Sequence, residues 1–227
     1  ELHVDGHVDV VDTASCDSCH GAGGQSAPPV DTTGNTATTE PGVGAHAAHM
    51  AAGSDWRAPV NCVDCHVVPA GLNDQGHIDT ALPAEIVFSS VAGAGSWNGT
   101  ACSNTYCHGG ADGPLTGGDD TQPVWTQVDG TQSQCGSCHG APPPSPHPND
   151  DDCGSCHPTM TPGGGLTITY PALHIDGKVD LTEDQACDSC HGSGGIAAPP
   201  TDLDGASTTD LPGVGAHRRH LDASTWR

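Results

Sequence analysis

Hydrophobic residues are spaced irregularly along this chain, without the regular periods that mark long helices or strands. An Ala-rich stretch near residues 45–52, together with its copy near residues 215–222, predicts two short helices. Residues 85–91 predict a strand. Most other stretches are rich in Gly, Pro or Asp, which favour turns and linkers. The pattern therefore predicts mostly irregular coil with a few short helices and little strand.

The composition indicates that side-chain packing alone does not hold the chain together. Only 34% of residues are hydrophobic and 3% aromatic, while Gly and Pro number 32 and 19. The formal net charge of −23 makes nucleic acid and anionic membrane surfaces unexpected partners. Since no apolar run approaches the ~18 residues that span a bilayer, we expect no transmembrane segment.

All twelve cysteines belong to pairs, and a histidine directly follows each pair. The six motifs are Cys16/Cys19/His20, Cys62/Cys65/His66, Cys102/Cys107/His108, Cys135/Cys138/His139, Cys153/Cys156/His157 and Cys187/Cys190/His191. Five have two residues between the cysteines, the spacing of c-type haem attachment, and the third has four. In such motifs two thiols bind one haem and the adjacent imidazole ligates its iron. Zinc ribbons and disulfide frameworks are alternatives, but neither requires the histidines. We therefore expect six covalently bound c-type haems.

The other histidines are candidates for the second axial ligand of each iron. Because the chain has only two methionines, we expect bis-histidine ligation, which gives lower potentials than His/Met ligation. The candidate distal ligands are His3, His46, His49, His77, His147, His174, His217 and His220. Asp5, Asp79 and Asp176 follow three of these closely and are candidate acceptors for ring N–H groups.

The opening of the chain recurs near its end, shifted by 171 residues. His3 returns as His174, and the loop from Cys16 to Gly21 returns unchanged from Cys187 to Gly192. His46 and His49 return as His217 and His220, whereas His7 falls opposite Lys178 and is left out of the ligand set. We predict a five-haem repeat unit at residues 1–171 and a partial second repeat with one haem at residues 172–227.

The repeat also allows the number of motifs to be compared with the number of candidate distal histidines in each period. In the first period, five motifs are matched by five distal candidates: His3, His46, His49, His77 and His147. The partial second copy has one motif and three candidates, so that His217 and His220 are in surplus and are candidates to ligate haems beyond Arg227. The second copy stops before its next cysteine motif, and we expect a mature or excised piece of an exported protein.

About 38 residues are available for each haem if the 227 residues are shared among six. We therefore expect a thin polypeptide wrapped around a chain of stacked haems that serves as the core. Asp-rich stretches at residues 117–120 and 149–152 are weak calcium candidates that lack the EF-hand pattern. No catalytic constellation is evident, so we expect an electron-transfer protein and not an enzyme.

The motifs resemble those of the large tandem-repeat multihaem cytochromes of metal-reducing bacteria, which mix both cysteine spacings. The resemblance is carried by Gly42 to His49, Cys62 to Pro69, Gly76 to Asp79, Cys102 to Gly109, Pro123 to Trp125, Cys135 to Pro144 and Leu173 to Gly177. It implies an exported protein used in extracellular electron transfer. It also implies kinship with multihaem cytochromes that polymerise into filaments with continuous haem chains.

Three functions are consistent with these features. The first is a conductive element, made of a homopolymer or of neighbouring repeats of one chain, that passes electrons to redox proteins or to extracellular acceptors such as metal oxides. It would lie outside the cell or at its surface, or otherwise in the periplasm. The second is a discrete soluble shuttle, in which His217 and His220 are spare. The third is a terminal reductase with one open haem site.

Overall fold

The computed structural model describes residues 16–25, 29–51, 55–72, 74, 77, 80–110, 116–145, 147–182, 202 and 206–221. The helices are short: α1 spans His46–Met50, α2 Cys153–Cys156 and α3 His217–Leu221. Strands β1 (Ser96–Trp97) and β2 (Cys102–Ser103) form one antiparallel pair. Turns of 3₁₀ helix cover Cys16–Ser18, Cys62–Asp64, Tyr106–His108, Thr131–Ser133 and Pro171–Leu173. Irregular coil with a few short helices and little strand is confirmed as the fold class, and the predicted helices at 45–52 and 215–222 form as α1 and α3.

The strand predicted at residues 85–91 is wrong. The Val87 N–H donates to the Cys65 carbonyl oxygen over 2.9 Å, and the Ser89 N–H donates to the Asp64 carbonyl oxygen over 3.0 Å. This segment therefore lies along the second cysteine motif as irregular backbone. The strands that do form, β1 and β2, were not predicted because two-residue strands show no alternation of polar and apolar residues.

Hydrophobic side chains in the described residues do not pack into a core. Val43, Ala92 and Val214 are buried, whereas thirteen large hydrophobic side chains are exposed. Val63 and Val67, within and just after the second cysteine motif, are 56% and 54% exposed. Apolar surface beside an attachment loop suits contact with the apolar face of a bound ring.

The chain divides into two compact units. The first comprises Glu1–Ser54, Pro59–Gly113 and Asp120–Gln134, and the second comprises Asp55–Ala58, Pro114–Asp119 and Cys135–Arg227. Helix α1 and both strands belong to the first unit, and α2 and α3 to the second. The repeat boundary at residue 171 is a division of the sequence and stays a prediction.

The turn before α1 and the turn before α3 have the same local structure, as the sequence repeat predicts. Gly44 and Gly215 have φ angles of 41° and 43°, and each donates its N–H over 2.8 Å to the carbonyl four residues earlier. Val43 and Val214 are each 3% exposed. No helix in the described part of the chain is long and apolar enough to cross a membrane.

Candidate haem sites

The first, second and fifth cysteine motifs each contain a single helical turn that begins at the first cysteine, and these turns span Cys16–Ser18, Cys62–Asp64 and Cys153–Cys156. In three motifs the histidine N–H donates to the carbonyl oxygen of the first cysteine: His20 to Cys16 over 3.3 Å, His66 to Cys62 over 2.9 Å and His157 to Cys153 over 2.9 Å. In the second motif Asn61 and Asp64 form a reciprocal capping box at the start of the turn. All ten described cysteines carry free thiols.

The first motif differs from the other described motifs in the exposure of its thiols. Cys16 and Cys19 are both exposed, whereas every other described motif has at least one thiol that is partly buried. The Cys19 N–H lies 3.5 Å from the Cys16 carbonyl oxygen, which is long for a hydrogen bond and indicates a loosely closed turn. Attachment of haem through Cys16 and Cys19 stays a prediction.

The third motif accommodates its two extra residues through a left-handed backbone. Asn104 has a φ of 54°, a conformation that Asn adopts more readily than most residues. The Gly110 N–H then donates to the Thr105 carbonyl oxygen over 2.9 Å, and a Cβ on Gly110 would collide with the Asn104 backbone. The longer loop is thus closed tightly, and Cys107 and His108 still lie on one 3₁₀ turn.

The fourth motif is covered by the segment at residues 116–119. The Gly140 N–H donates to the Thr116 carbonyl oxygen over 2.9 Å, and the Asp119 N–H donates to the Gly136 carbonyl oxygen over 3.0 Å. Gly118 lies so close to the Cys138 backbone that any side chain there would collide with it. The Gly-rich linker predicted here therefore packs on the attachment loop.

Five motif histidines each lie close to a second histidine. The centroids of the paired rings are 6.1 to 6.4 Å apart. The pairs are His20 with His77 (6.4 Å), His66 with His46 (6.2 Å), His108 with His49 (6.1 Å), His139 with His174 (6.4 Å) and His157 with His147 (6.1 Å). Each pair joins one predicted proximal ligand to one predicted distal ligand.

The separation fits a metal ion held between two imidazoles. A metal–imidazole bond is about 2.0–2.1 Å long, so two ligating nitrogens lie about 4 Å apart, and the remaining distance to each ring centre brings the centroids to about 6 Å. The ring centroids of ordinary aromatic pairs are also about 4.5–7 Å apart, so the distance alone does not distinguish the two arrangements. The hydrogen bonds of the rings are a stronger test of metal ligation.

Nine described histidines have Nδ1 within hydrogen-bond distance of a backbone carbonyl oxygen. The acceptors lie 2.7 to 2.9 Å away: Val43 for His46, Ala45 for His49, Glu85 for His66, Leu72 for His77, Gly140 for His139, Pro148 for His147, Asp180 for His157, Trp56 for His174 and Val214 for His217. A carbonyl oxygen only accepts, so Nδ1 carries the proton and Nε2 carries the lone pair. This is the arrangement of a metal-ligating histidine with its supporting acceptor.

Burial keeps two of the distal rings neutral, which is the form that binds metal. Desolvation lowers the pKa of His46, and the nearby His66 ring lowers it further. Desolvation likewise lowers the pKa of His174, with His139 adding to the effect. Burial also raises the pKa of the Cys65 thiol to about 11, with smaller contributions from Cys102 and Cys107. The second and third attachment loops are therefore neighbours in the first unit.

The structure brings some of the predicted ligands together and leaves others apart. His174 lies beside His139 and completes the five pairs. Helix α3 carries His217 and His220, and neither belongs to any of the five described pairs. His3, His7, Cys187, Cys190 and His191 lie outside the described residues.

The carboxylate predicted to accept the hydrogen bond of a histidine ring does not do so where both residues are described. The acceptor for His174 is the Trp56 carbonyl, and Asp176 instead accepts a hydrogen bond from the Lys178 N–H over 2.9 Å. The acceptor for His77 is Leu72, and Asp79 lies outside the described residues. Sequence reasoning could not have found these acceptors, because every residue type has a carbonyl group.

The two weak calcium candidates have other roles in the structure. The Asp152 carboxylate accepts the Gly163 N–H over 2.8 Å, and the segment at residues 116–119 covers the fourth motif. Within the described ranges, no group of three or more His, Cys, Asp or Glu side chains is placed to hold a metal ion.

Comparison with known proteins gives one match. Residues 101–139, which contain the third and fourth motifs, match the sequence profile of a family described as "Geobacter CxxxxCH...CXXCH motif". No curated protein and no solved structure matches the chain. The match and the repeated cysteine–histidine motifs support a multihaem c-type cytochrome with covalently bound haem, which fits an electron-transfer protein.

Proposed function

We propose that this chain conducts electrons along six closely packed bis-histidine haems, as part of an extracellular filament or a long tandem haem array. The observation that carries the proposal is the set of five histidine pairs, in which eight of the ten rings hydrogen-bond to a carbonyl oxygen through Nδ1 and so leave Nε2 for iron. Bound c-type haem supplies a one-electron iron couple at each site. The chain attaches, ligates and orients each group.

Each residue type has a distinct role in the proposed sites. The cysteine pairs fix the position of each ring, and the motif histidines ligate the iron from one side. His77, His46, His49, His174 and His147 ligate from the other side, in the order of their motifs along the chain. The sixth motif, Cys187/Cys190/His191, repeats the first and would bind haem in the same way. Hydrogen bonds from Nδ1 to carbonyl groups hold the ring planes and increase ligand basicity.

The second and third sites share one helix, which supports close packing of their cofactors. His46 and His49 lie three residues apart on α1, a spacing that places them as neighbours on a helix surface. Their partners, His66 and His108, follow attachment loops whose thiols are also neighbours. Two haems held in this way are well placed for electron exchange.

The pairing of His139 with His174 supports a tandem array. It joins a motif of the first repeat to the first histidine of the second repeat, so the ligand set crosses the repeat boundary. We propose that the equivalent His3 serves a haem of a preceding repeat. We further propose that His217 and His220, the equivalents of His46 and His49, serve haems of their own repeat beyond residue 227 or of a neighbouring copy.

The acidic surface supports contact with cationic partners and acceptors. A net charge of −23 favours attraction to positively charged surfaces, among them redox partner proteins and metal oxides. We propose an exported protein that acts outside the cell or at its surface, with the periplasm as the alternative.

Three measurements on the haem-loaded protein test this function. Mass spectrometry should give six haems per chain, and the oxidised protein should show low-spin iron at the five described pairs. Electron microscopy of the native material should show filaments or long rods. Uniform small particles with six low-spin haems would contradict the array and favour the soluble shuttle. A high-spin signal at one of the five pairs would contradict bis-histidine ligation there and favour the reductase.

A further inference from the structure

Trp125 lies against the distal histidines of two different sites in the first unit. Its indole centroid is 4.7 Å from the His46 ring, at an interplanar angle of 88°, and 5.6 Å from the His49 ring, at 28°. It therefore meets His46 edge-on and stacks on His49. One side chain touches both ligands that α1 supplies.

The backbone of Trp125 is fixed to the third attachment loop. Its N–H donates to the Thr100 carbonyl oxygen over 2.9 Å, and the Cys102 N–H donates to the Pro123 carbonyl oxygen over 3.2 Å. The Gln132 side chain accepts from the Val124 N–H over 2.7 Å and donates to the Val124 carbonyl oxygen over 3.0 Å. These bonds connect the position of the indole to the loop that carries Cys102.

The indole is also fixed to the turn that precedes α1. Trp125 Nε1 donates to the Pro41 carbonyl oxygen over 2.8 Å. The ring packs so closely on Gly44 that a Cβ at this position would collide with it. Trp125 therefore joins the attachment loop of one site to the distal ligands of two sites, with little freedom to rotate.

The ring planes at these two sites differ. The His46 and His66 rings are 25° from parallel, whereas the His49 and His108 rings are crossed at 67°. We propose that Trp125 is a positioning residue that holds His46 and His49 in these orientations, so that neighbouring haems have different axial ring angles. This inference rests on the proposed haem ligation. The angle between axial imidazoles changes the electronic state of the iron and so affects its reduction potential.

Electron paramagnetic resonance of the oxidised, haem-loaded protein reads this angle directly. Low-spin iron between nearly parallel imidazoles gives a rhombic signal, and iron between crossed imidazoles gives a single feature at high g. Among the five described pairs, three are crossed at 67° to 81° and two lie within 25° of parallel. The described sites of the unaltered chain should therefore contribute the two signals in a ratio of three to two.

Substitution of Trp125 should change the signals of one or two haems and leave the signals of the other haems unchanged. We expect Trp125→Leu to move the intensity of at least one haem between the two classes. Trp125→Phe keeps an aromatic ring at this position but loses the Nε1 hydrogen bond and part of the indole surface. It should retain more of the original spectrum than Trp125→Leu and serves if the Leu variant fails to load haem. Trp97→Leu is the matched control, since it removes a second tryptophan whose ring lies 6.3 Å from that of Trp125, at an interplanar angle of 78°.

The outcomes separate this inference from the proposed function. Unchanged spectra in both Trp125 variants, or an equal change in Trp97→Leu, would overturn the positioning role while leaving bis-histidine ligation intact. If the unaltered protein shows no low-spin signal, the proposed ligation itself fails. A crystal structure of the loaded Trp125→Phe protein, compared with the unaltered one, would show whether the His49 ring turns.

Discussion

The imidazole of His174 donates a hydrogen bond from Nδ1 to the carbonyl oxygen of Trp56, 118 residues earlier in the chain, over 2.7 Å. The same ring lies 6.4 Å from His139. A residue from the start of the second repeat is therefore held in place by the first repeat and faces its fourth cysteine motif. This pair of histidines therefore crosses the predicted repeat boundary at residue 171.

This relationship predicts different effects for two equivalent histidines. His174→Ala should leave the haem at Cys135/Cys138 with one protein ligand and produce a high-spin signal from one haem, because the ring that faces His139 is lost. His3→Ala should leave that haem low-spin. Electron paramagnetic resonance of both variants checks the assignment, and a high-spin haem of the fourth motif in His3→Ala would contradict it.

The two repeat turns provide a matched pair of glycine substitutions. Both Gly44→Ala and Gly215→Ala place a side chain on a left-handed backbone, at a cost of about 1–2 kcal/mol. Only Gly44→Ala also drives a methyl group into the Trp125 indole, which should cost a further 1–3 kcal/mol or so. At Gly215 the nearest atoms are the carbonyl oxygens of its own turn, at 3.5 and 3.8 Å.

Hydrogen exchange measures the two effects locally. The His49 N–H and the His220 N–H make equivalent bonds, each 3.0 Å long, to the carbonyl four residues earlier. Exchange of the His49 amide should accelerate more in Gly44→Ala than exchange of the His220 amide does in Gly215→Ala. Equal acceleration would mean that Trp125 does not press on the first turn.

The Asp31 turn should persist in acid. Hydrogen bonds from the Asn35 backbone and side chain and from Thr33 lower the pKa of Asp31 to about 2, from an ordinary value of 3.8. Since the pKa is lowered in the folded state, the contribution of this carboxylate is complete above pH 4 or so and is lost as the pH falls through about 2. NMR titration of the carboxyl carbon checks the value. In Thr33→Ala/Asn35→Ala the pKa should rise part of the way towards 3.8, because the side-chain hydrogen bonds are lost while the backbone N–H of residue 35 remains. An unchanged value would contradict the side-chain contribution.

The longer third motif should depend on the residue at position 104. Asn104 has a φ of 54°, which glycine adopts freely and β-branched residues avoid. We expect Asn104→Gly to keep the full haem content and Asn104→Val to reduce loading at Cys102 and Cys107. Mass spectrometry of the intact protein and of its haem peptides measures this. Full loading of Asn104→Val would show that the backbone angle does not govern attachment.

The sequence predicts the local parts of this protein better than the long-range ones. Cysteine spacing marks the attachment loops, and the alanine content and repeat mark α1 and α3, because these features depend on adjacent residues. The segment expected to form a strand at residues 85–91 instead lies along the second motif, and this outcome depends on hydrogen bonds from Val87 and Ser89 to residues 22 and 25 positions earlier. The local sequence pattern does not identify these distant hydrogen-bond partners.

The distal ligands show the same limit. Histidine counts identify the candidates, but the position of His174 beside His139 depends on where the chain returns in space. The contact of Trp125 with His46 and His49 spans more than 70 residues of sequence and has no motif. Contacts between residues so far apart in the sequence can be identified only from the folded structure.

The carbonyl acceptors of the histidine rings also affect how the protein tolerates mutation. A carbonyl oxygen is present whatever the side chain, so replacing Glu85, Leu72 or Val43 would keep the bond that orients the neighbouring imidazole, provided the backbone keeps its course. The ligands therefore have supports that substitution does not easily remove. A chain built in this way can change widely in sequence between its cysteines and histidines while its paired imidazoles stay aligned.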